Sequence, residues 1–358
     1  MAFFRSLALA IVAVALACGE DPVAVLSRRM EQGAVKLPYD GVYGYLPALL
    51  GALHIPVESQ LAVFSKTSIQ SLRIEPANPR VLYFNDSVAV GWVRGGFIEL
   101  AAQDPGKGIN YYILQQRPDE SLIPRKDCLR CHQSGATQFR SVVAGIDGVA
   151  SRESDIDSRT PFNKLWGGWY VTGSTVPPGH MGNAIFANLQ RREITPALDR
   201  KVALAPSSDV VALMVFAHQM RMMNLLAHPD NINELVDCLL FVDEAPFPGP
   251  VQGNSGFAEK FSGAGPRDHL GRSLRDFDLQ RKLMRYPCSY MIYTEAFDAL
   301  PAPAKEAIYR RMWNILTGKL DNDDGRYRRL SNADRAAVIG ILRDTKADLP
   351  PWFVPSSP

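Results

Sequence analysis

Charge of one sign is what this chain lacks first: 39 Lys and Arg face 37 Asp and Glu, a formal +2 over 358 residues. So mild a balance carries no electrostatic footprint for nucleic acid, and none is expected as a partner. Cysteine is scarce, with five residues, so no disulfide framework holds a chain of this length together. Histidine is almost as scarce, with six, which makes each one worth locating. Beyond the N-terminus there is no long hydrophobic run; the next, Val210 to Ala217, is far too short to span a bilayer. No internal repeat and no low-complexity tract is present, which excludes solenoids and disordered linkers. A charged fraction of 21% and a hydrophobic fraction of 46% are ordinary for a globular protein with a substantial core.

What is there begins with the N-terminus. Arg5 is followed by an apolar run from Leu7 to Ala17 that ends in Ala15-Leu16-Ala17, with Cys18 next. A positive start, a short apolar stretch and an A-x-A end describe a secretory signal over residues 1–17, and so predict a periplasmic or otherwise exported protein. Cys18 stands where a lipoprotein is cut and acylated, so a lipid anchor at Cys18 and plain cleavage both stay open. No transmembrane span is expected after signal removal.

The 26 prolines and 27 glycines predict many turns and long ordered loops. Four short runs, Arg80–Phe84, Val88–Val93, Phe97–Leu100 and Asn110–Leu114, are separated by turn residues and predict a small antiparallel sheet. Residues 117–190 read as loops. From about 208 the pattern is helical: Ser207-Ser208-Asp209 can cap a buried helix running to about Leu226, and further helices are expected at 230–241, 269–285, 302–317 and 331–345. The expected fold class is α+β. It has a β-rich segment and haem-binding loop region over 18–200 and a mainly helical region over 201–358, packed as one unit.

The chemistry lies in Asp127-Cys128-Leu129-Arg130-Cys131-His132, which contains C-x-x-C-H. Two thiols at this spacing reach the two vinyl groups of one haem and form thioethers, and His132 then supplies an axial ligand to the iron. With this composition a chance match arises about once in a thousand such chains, and export fits, because c-type haem is attached outside the cytoplasm. One covalent haem c at Cys128, Cys131 and His132 is therefore the expectation. A structural zinc site would want a second tight ligand pair. Cys238 and Cys288 are isolated, and whether they pair or stay free thiols is open. A redox dithiol would want a strand-to-helix junction, whereas a proline- and charge-rich loop leads into this motif.

The sixth ligand is a choice among histidines and methionines. His218 sits in the apolar helix with Met214 and Met222 four residues away on the same face; the alternative is a hydrogen-bonded core histidine. His180 and Met181 lie in a Gly-flanked loop, either over the haem or as an anchor. His54 and His269 are weaker candidates, His228 reads as a helix cap, and a five-coordinate iron stays open. Trp166-Gly167-Gly168-Trp169-Tyr170 either helps cover a porphyrin or packs in the core. Arg125, Lys126, Arg130 and Arg140 either meet propionates or form a solvated basic surface.

These residues also carry a resemblance. The chain resembles a family of secreted, uncharacterised bacterial proteins labelled cytochrome c-like, with a single C-x-x-C-H site. The likeness covers most of the chain after the signal. It rests on Phe64–Gln70, Pro79–Asp86, Cys128–His132, Arg140–Val142, Trp166–Gly173, His180–Asn183 and Tyr286–Tyr290. The resemblance implies haem and export but no substrate. It also implies a further histidine a few residues after His218, where this chain has Met222 and Met223. Two functions follow: one-electron transfer with a redox partner protein, or a haem enzyme acting on peroxide or another small oxidant. A sensor or structural haem is a third.

Overall fold

The structure, a computed structural model, describes residues 19–117, 121–125, 137–188, 190–196, 198–320 and 325–353. The N-terminal apolar run, Cys18, Lys126, Arg130 and the Cys128–His132 motif lie outside the described residues. The fold is α+β, as the patterning predicts. Two short helices, α1 (Pro22–Glu31) and α2 (Leu46–Ala52), precede the strands β1 (Leu61–Val63), β2 (Arg80–Phe84), β3 (Val88–Trp92), β4 (Ile98–Asp104), β5 (Gly108–Leu114) and β6 (Leu122–Pro124). Then follow β7 (Arg140–Ala144), β8 (Ala150–Asp155), β9 (Trp169–Tyr170), β10 (Ala184–Ala187) and β11 (Gln190–Glu193). The C-terminal half holds α3 (Val210–Ala227), α4 (Ile232–Leu239), α5 (Phe257–Gly263), α6 (Glu295–Asp298), α7 (Ala302–Leu316) and α8 (Asn332–Thr345).

The main sheet has seven strands in the order β6-β5-β4-β3-β2-β1-β9, every neighbour antiparallel. The four runs read from sequence are its centre, β2 to β5. The sheet is larger than expected because β9 joins it from beyond the motif: Ala62 and Val63 pair with Tyr170 and Trp169. Gly168 permits that junction. Its φ is +82°, and a side chain there would meet Ser65 Cβ at 2.7 Å. β7–β8 and β10–β11 form separate hairpins.

Alternation along the strands sorts residues to two faces. Val88, Val90, Trp92, Ile98 and Leu100 pack with Leu46, Leu49 and Leu50 of α2 and with Val23 and Leu26 of α1. Leu61, Val63, Leu82, Phe84, Ala89, Ile109 and Tyr111 turn the other way and share a core with α3. Phe84 meets Phe216 of α3 at 5.0 Å between ring centroids.

α3 begins where Asp209 caps it, accepting from the Val211 and Ala212 amides at 2.8 and 3.2 Å. The second Asp209 oxygen accepts from Asn254 and Ser255, tying the Pro/Gly-rich connection to the helix start. By length and composition this 18-residue helix could cross a membrane, but 83% of it is buried inside the protein. It is the central core helix, apolar on nearly every face because sheet and helices surround it.

The expected helices at 230–241, 302–317 and 331–345 form as α4, α7 and α8. The one expected at 269–285 does not, and turns and bends occupy the stretch. Its aspartates hold the backbone in turns instead. Asp268 Oδ1 accepts from the Leu270 and Arg272 amides, and Asp278 Oδ1 from those of Gln280 and Arg281. Gly271 sits at φ +75°. Short polar side chains that satisfy nearby amides compete directly with helical hydrogen bonds.

Candidate functional site

α3 covers only part of the sheet face it packs on. The end carrying Phe84 and Ile109 lies in the core with it, while the rest borders a cleft of about 670 Å³. Two cross-strand rows make its floor. One runs Leu82–Gly91–Glu99–Ile113 and the other Ala89–Ala101–Tyr111. The cleft is deep because the central strands alternate large and small side chains. In Val88-Ala89-Val90-Gly91-Trp92 the large ones face α1 and α2, and Ala89 and Gly91 face the cleft. A side chain at Gly91 would meet the Arg80 guanidinium at 2.6 Å.

The walls are aromatic and apolar on one side and charged on the other. Trp169, Phe216 and Met220 form the first. Trp169 is fixed by its indole N–H donating to the Arg140 carbonyl at 2.7 Å and by an edge-on contact with Phe139. Lys66, Arg80, Arg140, Glu99 and Glu153 form the second. Arg80 pairs with Glu99 at 2.5 Å and Arg140 with Glu153 at 2.6 Å, so three cations face two carboxylates.

The last described residue before the motif is Arg125, whose amide donates to the Tyr111 carbonyl at 2.8 Å. The first after it is Thr137, gripped by Asn224 of α3. Asn224 Oδ1 accepts from the Thr137 amide and hydroxyl at 2.7 and 2.9 Å, and its Nδ2 donates to the Thr137 carbonyl at 3.0 Å. Tyr111 and Thr137 both line the cleft. The segment that carries Cys128, Cys131 and His132 thus leaves and rejoins the described chain at the cleft rim.

The candidate axial ligands are not brought together there. His218 is fully buried, its ring stacked on Phe241 at 4.2 Å. Its Nδ1 lies 2.9 Å from Glu244 Oε1 and its Nε2 lies 2.8 Å from Ser289 Oγ. A carboxylate only accepts, so the proton sits on Nδ1, and in the neutral ring Nε2 accepts the Ser289 O–H. Both nitrogens are occupied, so binding iron would cost one of these bonds.

Glu244, His218 and Ser289 have the connectivity of a nucleophilic triad. Exposure argues against that use, because Ser289 and His218 both have zero accessible surface. Ser289 Oγ also accepts from the Met291 amide at 3.2 Å, capping the turn that follows. The chain is a buried polar strut joining α3 to the Tyr286–Tyr290 segment. Beside it, Tyr290 donates to Gln219 Oε1 at 2.9 Å.

His180 lies elsewhere, half-buried, in a different cavity with Val171, Asn183 and Pro206. Its ring meets Trp166 edge-on at 5.6 Å, and Nδ1 is buried with no hydrogen-bond partner. Burial pushes its imidazole below the ordinary range, Arg191 adds to this, and Glu193 opposes it. Met181 Sδ accepts from Ser141 Oγ at 3.9 Å. His54 and His269 are exposed, the latter paired with Asp344, and His228 ends α3 as its C-cap.

Of the aromatic cluster, Trp169 reaches the cleft, whereas Trp166 and Tyr170 are buried in the cores on either side. Cys238 and Cys288 are free and buried, and burial raises both thiols. Among the described residues no group of three or more His, Cys, Asp or Glu is placed to hold a metal ion.

The cleft fits a haem by the character of its surface. Its floor includes the small residues Ala89, Gly91 and Ala101, it has an aromatic wall and a cationic edge, and its volume lies in the range of cofactor sites. Four strands at about 4.8 Å spacing make that floor about 14 Å wide. Sequence reasoning missed the cleft; its signal was the large-small alternation of Val88–Trp92. No protein-family model, no curated protein and no solved structure matches this chain.

Proposed function

We propose that this chain is an exported protein carrying one haem c, bound through Cys128 and Cys131 with His132 on the iron, and that it transfers single electrons. The observation that supports the reading is that the described residues on either side of the motif segment stand at the cleft: Arg125 is bonded to the cleft residue Tyr111, and Thr137 lines the cleft itself. When bound, the haem supplies a one-electron ferric–ferrous couple whose potential follows its axial ligands and burial. The residues described here supply the seat. Ala89, Gly91 and Ala101 make room for a flat group, Trp169 and Phe216 exclude water from its face, and Lys66, Arg80 and Arg140 offer charge to propionates.

The partner is a protein that donates the electron and another acceptor that removes it. The signal-like N-terminus supports work outside the cytoplasm, in the periplasm or otherwise exported, with a lipid tether at Cys18 as one form of delivery. The resemblance to cytochrome c-like secreted proteins supports the same reading.

The test is to produce the chain with its own leader in bacteria competent for c-type maturation. The expected product is a coloured protein whose mass exceeds the polypeptide by one haem that survives denaturation, and Cys128→Ser with Cys131→Ser abolishes the adduct. Colourless protein from such cells overturns the proposal. High-spin iron that consumes peroxide rapidly would replace electron transfer with catalysis on a small oxidant.

A further inference from the structure

We infer that the cavity bordered by α2, the β2–β3 turn and α5 binds an α-amino acid with an apolar side chain, its carboxylate on Arg275 and its ammonium on Asp86. This cavity shares no lining residue with the cleft described above, and the inference does not depend on the haem reading. Its volume is about 600 Å³, within the range of small-molecule sites. Leu50, Ile55, Phe84, Phe257 and Phe261 make its walls apolar. The three rings form a continuous run, with centroids 5.6 Å apart from Phe84 to Phe257 and 5.5 Å apart from Phe257 to Phe261.

The polar end of the cavity is an ion pair with open sides. Arg275 is clamped, its guanidinium 4.6 Å from the Phe261 ring centroid and 4.5 Å from that of Tyr290. Its side chain is only 9% exposed. Among the described residues one side-chain acceptor meets it, Asp86 Oδ2. Nε and Nη1 of Arg275 have no acceptor among these residues, and Asp86 Oδ1 has no donor. A guanidinium carries five donors in a fixed plane, and a charge taken this far from water favours having them filled. A carboxylate is the group that fills two at once.

Asp86 decides what else the ligand carries. It stands in the β2–β3 turn with its side chain 39% exposed. Lys260, which also lines the cavity, is engaged with Glu58 at 3.0 Å. The charges offered to a ligand are therefore one anion and one cation side by side. A ligand bearing a carboxylate alone is repelled by Asp86, and one bearing an amine alone is repelled by Arg275. A carboxylate and an ammonium on one carbon meet both.

This end of the cavity is also preorganised. Gln219 of α3 accepts from the Tyr290 hydroxyl at 2.9 Å and donates to the Asn85 carbonyl at 2.6 Å. Asn85 Oδ1 accepts from the Ser87 and Val88 amides at 3.1 and 2.9 Å, and its Nδ2 donates to the Leu53 carbonyl at 2.9 Å. One glutamine thus ties the ring beside Arg275 to the turn that carries Asp86, which lowers the ordering cost of binding.

The experiment titrates the purified protein with L-phenylalanine by calorimetry, beside 3-phenylpropanoate and 2-phenylethylamine, which each lack one of the two charges. The expected result is saturable one-to-one binding of L-phenylalanine, with both analogues weaker by about tenfold or more. Asp86→Asn should weaken L-phenylalanine by a similar factor while 3-phenylpropanoate binds no worse, a pattern that general damage to the cavity would not give. Gly51→Trp should abolish binding of all three. Gly51 lines the cavity, and a side chain there would meet no heavy atom within 4 Å, so this variant blocks the space without disturbing the ion pair. Absence of saturable binding, equal affinity for either single-charge analogue, or binding that persists in Gly51→Trp overturns the assignment. None of these outcomes bears on the haem proposal.

Discussion

Ser289→Ala separates a strut from a catalytic triad. Ser289 has no accessible surface, and its hydroxyl serves His218 on one side and the Met291 amide on the other. The substitution removes one oxygen and leaves the carbon framework, so cavity terms are small. The lost cap is worth about 1 kcal/mol. His218 Nε2 is left buried without a partner, at about 1–3 kcal/mol. The expected destabilisation is therefore about 2–4 kcal/mol. Unfolding entropy near 2.1 cal/mol/K per residue gives roughly 0.7 kcal/mol/K for a chain of this size, so the melting midpoint falls by about 3–6 °C. Guanidinium titration of the two proteins at neutral pH measures the same loss through the transition midpoint at unchanged slope. The wild type, in parallel, should show no hydrolysis of an activated acyl ester above buffer. A midpoint within about 0.5 kcal/mol of the wild type would refute the strut. Ester hydrolysis that disappears in Ser289→Ala would show the serine to be a working nucleophile.

Other consequences follow from the same coordinates. Asn224→Ala removes three hydrogen bonds to Thr137 and should cost about 2–3 kcal/mol, with faster hydrogen exchange at the Thr137 amide; unchanged exchange there would show the clamp to be dispensable. Gly91→Phe fills the cleft floor; if the proposed haem sits there, most of the protein should be made without it while the far-ultraviolet circular dichroism is kept, and full haem loading would refute that seat. His180, held below its ordinary range by burial, makes the unfolded chain the stronger proton binder. Stability should be full above about pH 6.5 and fall as pH drops towards the folded value, and His180→Phe should flatten that slope in urea titrations between pH 7 and 5; an equal slope in both proteins would sink the assignment. Cys238 and Cys288 should resist iodoacetamide until the protein is denatured and then both be labelled, as peptide mass mapping reads; labelling of the native protein would contradict their burial.

Much of the fold was legible because its patterns are local. The runs from Arg80 to Leu114 alternate and are punctuated by turn residues, so β2 to β5 could be read directly. Asp209 before an apolar stretch announced α3. The two-residue strand β9 and the three-residue strands β1 and β6 could not be read, since their identity comes from pairing across long separations rather than from their own pattern. The failed helix at 269–285 shows the reverse error. Its apolar spacing suits a helix, but Asp268, Asp276 and Asp278 each hold nearby amides in turns, a competition that composition alone does not price.

The C-x-x-C-H motif could be read from the sequence but the cleft could not, and α3 shows why. Cys128, Cys131 and His132 stand together in sequence, so their joint use needs no fold to be argued. Any residue that reaches the cleft from a remote element can be named only by knowing which way each face of that element points. On an amphipathic helix the polar stripe would mark solvent and fix the rotation. α3 has no such stripe, with 15 of its 18 residues buried, so Met214, Met220, Met222 and Met223 are equivalent until the partners are known. The helix is oriented by its few polar residues instead. His218 points to Glu244 and Ser289, Gln219 to Asn85 and Tyr290, and Asn224 to Thr137. Asn224 faces Thr137 at the cleft, and the position one turn before it on the same face, Met220, lines the cleft too. The polar residues of a buried helix thus act as its register marks.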